Sequence, residues 1–292
     1  MSLLVFSWGF EFIAAKSVLD VVSPITLVFF KYLGAFVILC AIRLIRTGRF
    51  PLRKRDIPFY FLCALFGEIL YYVGEYGAMY YLPVSIVTIL LAFVPAFSIL
   101  IEWALFKRRP SFKVVLGILV CIIGVALVVG GDLSQLFGRG ILGYLLAFMA
   151  LVAWNIYNFI TARLTKNYTA FDLTLVQLAA SALVSMPYAL FHLPPLSAVD
   201  GGFLFAVAYL AVISSCIGFV IYVNALGVIG VTPATLFSNM MPVTATFFGW
   251  LFLGETILPV QVVGGIIVVV AGSVVIYWRG KEDRSYGGIR PE

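Results

Sequence analysis

VSIVTILLAFVPAFSILIEWALFKRRPSFKVVLGILVCIIG, residues 84–124, is two apolar spans joined by a basic turn, with Pro95 inside the first span. The same unit recurs 147 residues further on: Val84 becomes Val231, Thr88 becomes Thr235, Pro95 becomes Pro242, Trp103 becomes Trp250 and Gly117 becomes Gly264. Self-similarity at a fixed offset marks a duplicated unit. The rest of the chain reads as one half and its copy.

Of the 292 residues, 63% are hydrophobic and 11% charged, and the mean hydropathy is +1.11. A soluble domain carries about a quarter charged residues, so this composition predicts an all-α integral membrane protein. The alternative, strands of about ten alternating residues in a membrane barrel, does not fit runs that are continuously apolar. Cys40, Cys63, Cys121 and Cys216 each lie inside an apolar run without metal-ligand spacing and read as small core residues. The single histidine, His192, sits beside Pro194 and Pro195. Neither a metal cluster, nor a nucleophile with its base, nor a phosphate-binding loop is present as a motif. The expectation is therefore no enzyme, no cofactor and no direct drive by ATP.

A spanning helix needs about 20 mostly apolar residues. That rule places spans near 2–20, 24–45, 57–80, 84–106 and 113–131, and again near 140–162, 170–191, 202–224, 231–253 and 258–278. The clearest stretch is Gly201 to Gly254, 54 residues without Asp, Glu, Lys, Arg or His, enough for two spans and a tight turn. The first span lacks a basic leader and a cleavage site, and Glu11 and Lys16 interrupt it, so it is expected to remain in the protein.

Orientation follows from the basic residues of short loops. With both termini cytoplasmic, 16 of the 19 Lys and Arg residues fall on the inner side and one, Arg139, on the outer; Lys16 and Lys31 lie within spans. The net charge of +6 is thus a topology signal rather than a nucleic-acid patch. Each half holds five spans, an odd number, so the second half enters the membrane from the opposite side. The expected organisation is a first repeat over 1–131, a loop over 132–139, a second repeat over 140–278 and a disordered cytoplasmic tail over 279–292. Inverted repeats of this kind are the plan of secondary transporters, with the substrate site near the midplane.

Particular residues carry a family resemblance. Trp8-Gly9 with Lys16, Ser23-Pro24, and Gly77-Ala78-Met79-Tyr80-Tyr81 before Ser85 and Pro95 resemble EamA-type members of the drug/metabolite transporter superfamily. So do Ala225-Leu226, Pro233-Ala234, Pro242, Gly254-Glu255, Gly264-Gly265 and Gly272 in the second half. The resemblance covers nearly the whole chain. It implies ten helices around a central cavity and movement of small organic solutes, commonly outward, as in bacterial exporters of amino acids, including aromatic ones. Two positions depart from the family pattern: Lys107-Arg108 stand where many members have Gly-Glu, and Lys31 where many have Arg.

Ionisable groups inside a membrane are costly and mark function by default. The spans hold Glu11, Lys16, Lys31, Glu68, Glu75 and Glu102, all in the first half. Glu68 and Glu75 are seven apart on one helix face, close to Tyr71, Tyr72 and Tyr76. Such a set suits a zwitterion with an apolar or aromatic side chain. Lys16 or Lys31 would hold its carboxylate and Glu11 or Glu68 its amine, and either glutamate is a candidate carrier of a coupling proton. The bland alternative is static pairing, Glu11 with Lys31 or Glu75 with Lys16, holding helices together. The second half offers Trp154, Asn155, Asn158 and Asn239, equally readable as substrate contacts or as interhelical hydrogen bonds. Pro95 and Pro242 are candidate hinges, each freeing a carbonyl within its span. The glycines of spans five and ten form a close-packing face, within the fold or between the subunits of a homodimer.

The sequence thus predicts a secondary transporter of small metabolites, foremost amino acids, working by alternating access as an exporter in the cytoplasmic membrane. Its partners would be solute and lipid, with proton coupling open. A carrier of cationic drugs or of sugar- or nucleotide-type solutes is the main rival, and a channel or non-transporting scaffold the remoter one.

Overall fold

The computed structural model describes residues 2–47, 51, 53–107, 109–130, 140–231, 234 and 240–285. These are all helical or connecting, with no strand among them. In chain order the helices are α1 (Ser2–Lys16), α2 (Pro24–Thr47), α3 (Lys54–Ala78), α4 (Val84–Leu91), α5 (Val94–Phe106) and α6 (Phe112–Gly130). After residue 139 come α7 (Gly140–Leu164), α8 (Ala170–Phe191), α9 (Gly201–Ile229), α10 (Met241–Leu253) and α11 (Pro259–Ser285). Among the described residues seven helical stretches are long and apolar enough to cross a membrane, and Phe112–Val128 and Met241–Leu253 are shorter apolar helices. The loop expected over 132–139 and Asn239 lie outside the described residues.

The 147-residue offset is written into the backbone as well as the sequence. Within α3 the stretch Ala64–Leu70 is a π-helix, and within α9 so is Leu210–Gly218, which spans the offset counterpart. Helix α5 starts at Val94 and α10 at Met241, 147 later, each with its proline at the second position. Pro95 and Pro242 therefore each lie in the first turn of a helix. A proline lacks the N–H that a first turn leaves unused anyway. Between α4 and α5 the chain breaks helical form at Ala92 and Phe93. Helices α5 and α10 both end in the left-handed conformation, at Lys107 (φ 56°) and Gly254 (φ 64°). Glycine takes that geometry freely; Lys107 is the only described non-glycine residue to do so.

The most extensive packing joins one half to the other: α6 with α11, α2 with α8, α3 with α7 and α1 with α10. Small residues permit it. A Cβ on Gly264 would stand 2.7 Å from the Gly124 carbonyl oxygen, so α6 and α11 touch backbone to backbone. The glycine face of spans five and ten is thus consumed inside the fold. Across the halves, the Glu255 carboxylate accepts the Val84 N–H at 2.7 Å and the Ser85 N–H and hydroxyl at 3.1 and 2.6 Å. A negative group at the amino end of α4 satisfies donors the helix cannot use itself.

The tail departs from expectation. Helix α11 runs through Arg279 to Ser285 instead of ending at 278. Cations hold its last turns: Lys281 Nζ lies 4.9 Å from the Tyr277 ring centre, and Lys113 Nζ 4.1 Å from that of Trp278.

Two glycines of α11 should respond oppositely to alanine. Gly264→Ala forces the α6 backbone away and is expected to cost about 1–3 kcal/mol. Gly280→Ala meets no atom within 4 Å and should be neutral or stabilise by up to about 1 kcal/mol. Thermal unfolding in detergent reads both; equal midpoints would contradict the α6–α11 contact.

Candidate functional site

Near the middle of α1, Glu11 is 4% exposed, and a lone carboxylate there would be prohibitively desolvated. Three elements supply its partners. Lys31 of α2 donates to Oε1 at 2.7 Å, with its own side chain wholly buried. The Tyr76 hydroxyl of α3 donates to the same oxygen at 3.0 Å, and Lys31 in turn donates to that hydroxyl at 3.1 Å. Ser214, in the π-helical part of α9, donates its hydroxyl to Oε2. The Lys31 ammonium also lies 3.5 Å from the centre of the Tyr72 ring, with Tyr32 at 4.9 Å and Tyr76 at 5.5 Å. Charge, hydrogen bonds and aromatic faces together satisfy the pair.

Beside this network lies a cavity walled by Trp8, Glu11, Phe12, Tyr71, Tyr72, Glu75, Thr88, Leu91, Val94, Trp154 and Met241. Both halves contribute, with Leu91 at the end of α4, Val94 at the start of α5 and Met241 at the start of α10 on its wall. Trp154 is the hub of the aromatic side: it stacks on Tyr157 (5.0 Å, 23°) and Tyr222 (5.4 Å, 25°) and meets Trp8 edge-on at 6.3 Å. The Trp8 indole N–H donates to the Ser214 carbonyl at 3.3 Å, tying α1 to α9 a second time.

The candidates named from sequence separate into groups. Glu11, Tyr72, Glu75 and Trp154 are wall residues; Lys31 and Tyr76 stand behind the wall as partners of Glu11. Lys16 lies elsewhere, donating to the Met79 carbonyl where α3 ends, a favourable place for a cation. Glu68 is fully buried with neither oxygen hydrogen-bonded, and its electrostatic neighbours are Tyr32, Lys31 and Glu11. Asn155 donates to the Leu151 carbonyl at 2.9 Å and Asn158 accepts from the Tyr222 hydroxyl at 3.0 Å. Gln177 completes a buried chain, accepting from Tyr157 at 3.2 Å and donating to Thr161 at 2.9 Å.

Ser214, Thr88 and Met241 carried no marking in the sequence reading. One signal was available for the first of them. Ser214 is the 147-offset counterpart of Gly67, and a Cβ on Gly67 would lie 2.1 Å from the Tyr157 ring. The same slot is thus filled by a ring in one half and by a hydroxyl aimed at Glu11 in the other. The offset also pairs Glu11 with Asn158, Glu68 with Ser215, Glu75 with Tyr222 and Lys31 with Leu178. The architecture is duplicated while the charge is confined to the first half.

Known proteins give the same picture. Residues 1–130 and 141–278 match the EamA-like transporter family. A protein of Streptantibioticus cattleyicolor described as a "probable terminal-alkyne amino-acid exporter" is 28% identical over 224 residues, covering 74% of this chain and 71% of its own. An uncharacterized transporter of Bacillus subtilis is 26% identical over 270 residues, covering 89% and 87%. A solved crystal structure superposes with TM-score 0.67 at 19% identity over 94% of both chains, a likeness of fold alone.

Lys31→Met leaves Glu11 charged without its counter-ion, an expected loss of about 3–5 kcal/mol. Adding Glu11→Gln should restore much of it. Thermal unfolding of the two single variants and the double variant measures the coupling; simply additive losses would mean that the two groups do not interact.

Proposed function

The chain belongs to the EamA-like transporter family, and we propose that it carries small ammonium-bearing metabolites, foremost amino acids, outward across the cytoplasmic membrane by alternating access. One observation carries the reading: a cavity between the halves, walled by carboxylates and aromatic rings. Such a wall complements a solute with an ammonium group and an apolar body. The amino-acid exporter among the relatives points the same way.

The proposal includes ten crossings arranged as two inverted repeats, 1–131 and 140–278, with both termini cytoplasmic. Contacts between helix ends support it. Tyr80 with Leu19, Thr26 with His192, and Glu255 with Val84 join ends that alternation assigns to the outer side. Arg43 with Asp172 at 3.2 Å, and the Tyr168 hydroxyl donating to Asp56, join ends assigned to the inner side. Rocking of the helices would then proceed around Pro95 and Pro242. A carrier of organic cations without a carboxylate is the second reading. It is favoured by the cavity wall, which among the described residues holds two carboxylates and no Lys or Arg.

Counterflow in proteoliposomes separates these readings. Saturable uptake of labelled phenylalanine or leucine into vesicles preloaded with the same unlabelled amino acid is the expected result. Exchange of organic cations alone would establish the second reading, and exchange of neither would remove both.

A further inference from the structure

The two carboxylates on the cavity wall are not equivalent. Glu11 is neutralised by Lys31 at 2.7 Å and hydrogen-bonded at both oxygens. Glu75 is 1% exposed, yet its Oε2 has no hydrogen-bond partner and no cation forms a salt bridge with it among the described residues. The lysine that sequence spacing offered it, Lys16, is committed to the Met79 carbonyl. An unpaired carboxylate in an apolar bundle is costly to ionise, and this one lines the cavity.

Its surroundings are aromatic. Tyr71, one turn earlier on α3, is a side-chain hydrogen-bond neighbour of the carboxylate, and its ring lies 4.8 Å from that of Tyr72 and 4.6 Å from that of Trp154. Trp154 meets Trp8 across the cavity. A carboxylate beside several electron-rich faces is the chemistry that holds an organic ammonium, through one ionic contact and several cation–π contacts. The protein already holds one ammonium in this manner, with Lys31 caged by Glu11, Tyr72 and Tyr76. Glu75 has the aromatic half of such a cage and no tenant.

We propose that Glu75 is the subsite for the substrate's ammonium group, with Tyr71, Tyr72 and Trp154 as its aromatic walls. Glu11 is excluded from that role by its bond to Lys31. The inference rests on the ammonium-carrier reading and sharpens it. Recognition falls on the amine end and on an apolar body along the rings, so an amine without a carboxylate binds while the matching acid without an amine does not.

The test uses the full-length protein in detergent, with quenching of the cavity tryptophans Trp8 and Trp154 as the readout. The probes are phenylalanine, phenethylammonium and 3-phenylpropionate. Wild type is expected to bind the first two and not the third. Glu75→Gln should weaken both by tenfold or more, and Glu75→Asp, which keeps the charge, should recover part of the loss. Thermal unfolding of each variant identifies any that fails to fold, and the Asp variant then decides. Wild type binding phenethylammonium, with a folded Glu75→Gln binding it equally well, overturns the subsite alone. Wild type binding neither ammonium compound overturns the ammonium-carrier reading and the subsite with it. Binding of 3-phenylpropionate as tight as that of phenethylammonium also overturns the subsite.

Discussion

A carboxylate can stay in the middle of an apolar helix bundle only if its charge and both oxygens are met there. For Glu11 that requirement recruits α1, α2, α3 and α9 at once: Lys31, Tyr76 and Ser214 converge on one side chain. The rest of the arrangement follows from this convergence. Ser214 reaches Glu11 from a π-helical stretch, where the widened turn shifts the side chain's direction relative to a regular helix. Trp8, one turn before Glu11, bonds to the Ser214 carbonyl and anchors the aromatic side of the cavity. The Glu11 network thus ties the halves through Ser214 and also forms part of the cavity wall.

Duplication supplies the frame and divergence supplies the chemistry. The π-helical stretches, the proline-led helices α5 and α10 and their left-handed ends recur at the 147-residue offset. The ionisable residues do not: Glu11, Glu68, Glu75 and Lys31 correspond to Asn158, Ser215, Tyr222 and Leu178. A two-fold frame with charge on one side builds a cavity that is pseudo-symmetric in shape and one-sided in electrostatics. Under the proposed function, that polarity would orient a solute with one charged end.

Much of the helical frame was legible in the sequence because apolar length and the repeat offset are one-dimensional quantities. Pro95 and Pro242 were legible as positions but not as first-turn residues, since a proline reads alike in a kink and in a first turn. The pairing of charges was not legible. Spacing allowed Glu75 with Lys16 as readily as Glu11 with Lys31, because helix rotation is set by packing between halves. Contacts such as Gly74 against the Leu146 carbonyl, 2.6 Å from a hypothetical Cβ, fix the facing surfaces. Ser214 escaped notice because serine in a span is ordinary, and only its opposite helix makes it a ligand of Glu11. The helical course of Arg279–Ser285 was hidden by its polar composition, which reads the same for a tail and for a helix leaving the membrane.

Solute protection of the cavity wall tests the central claim, a solute-carrying cavity between the halves, most directly. With Cys40, Cys63, Cys121 and Cys216 replaced by alanine, Leu91→Cys places one thiol on the wall. The account predicts that a water-soluble methanethiosulfonate labels this thiol and that a transported amino acid slows the labelling in a saturable manner. Labelling at the same rate with and without every solute that the protein exchanges would contradict it.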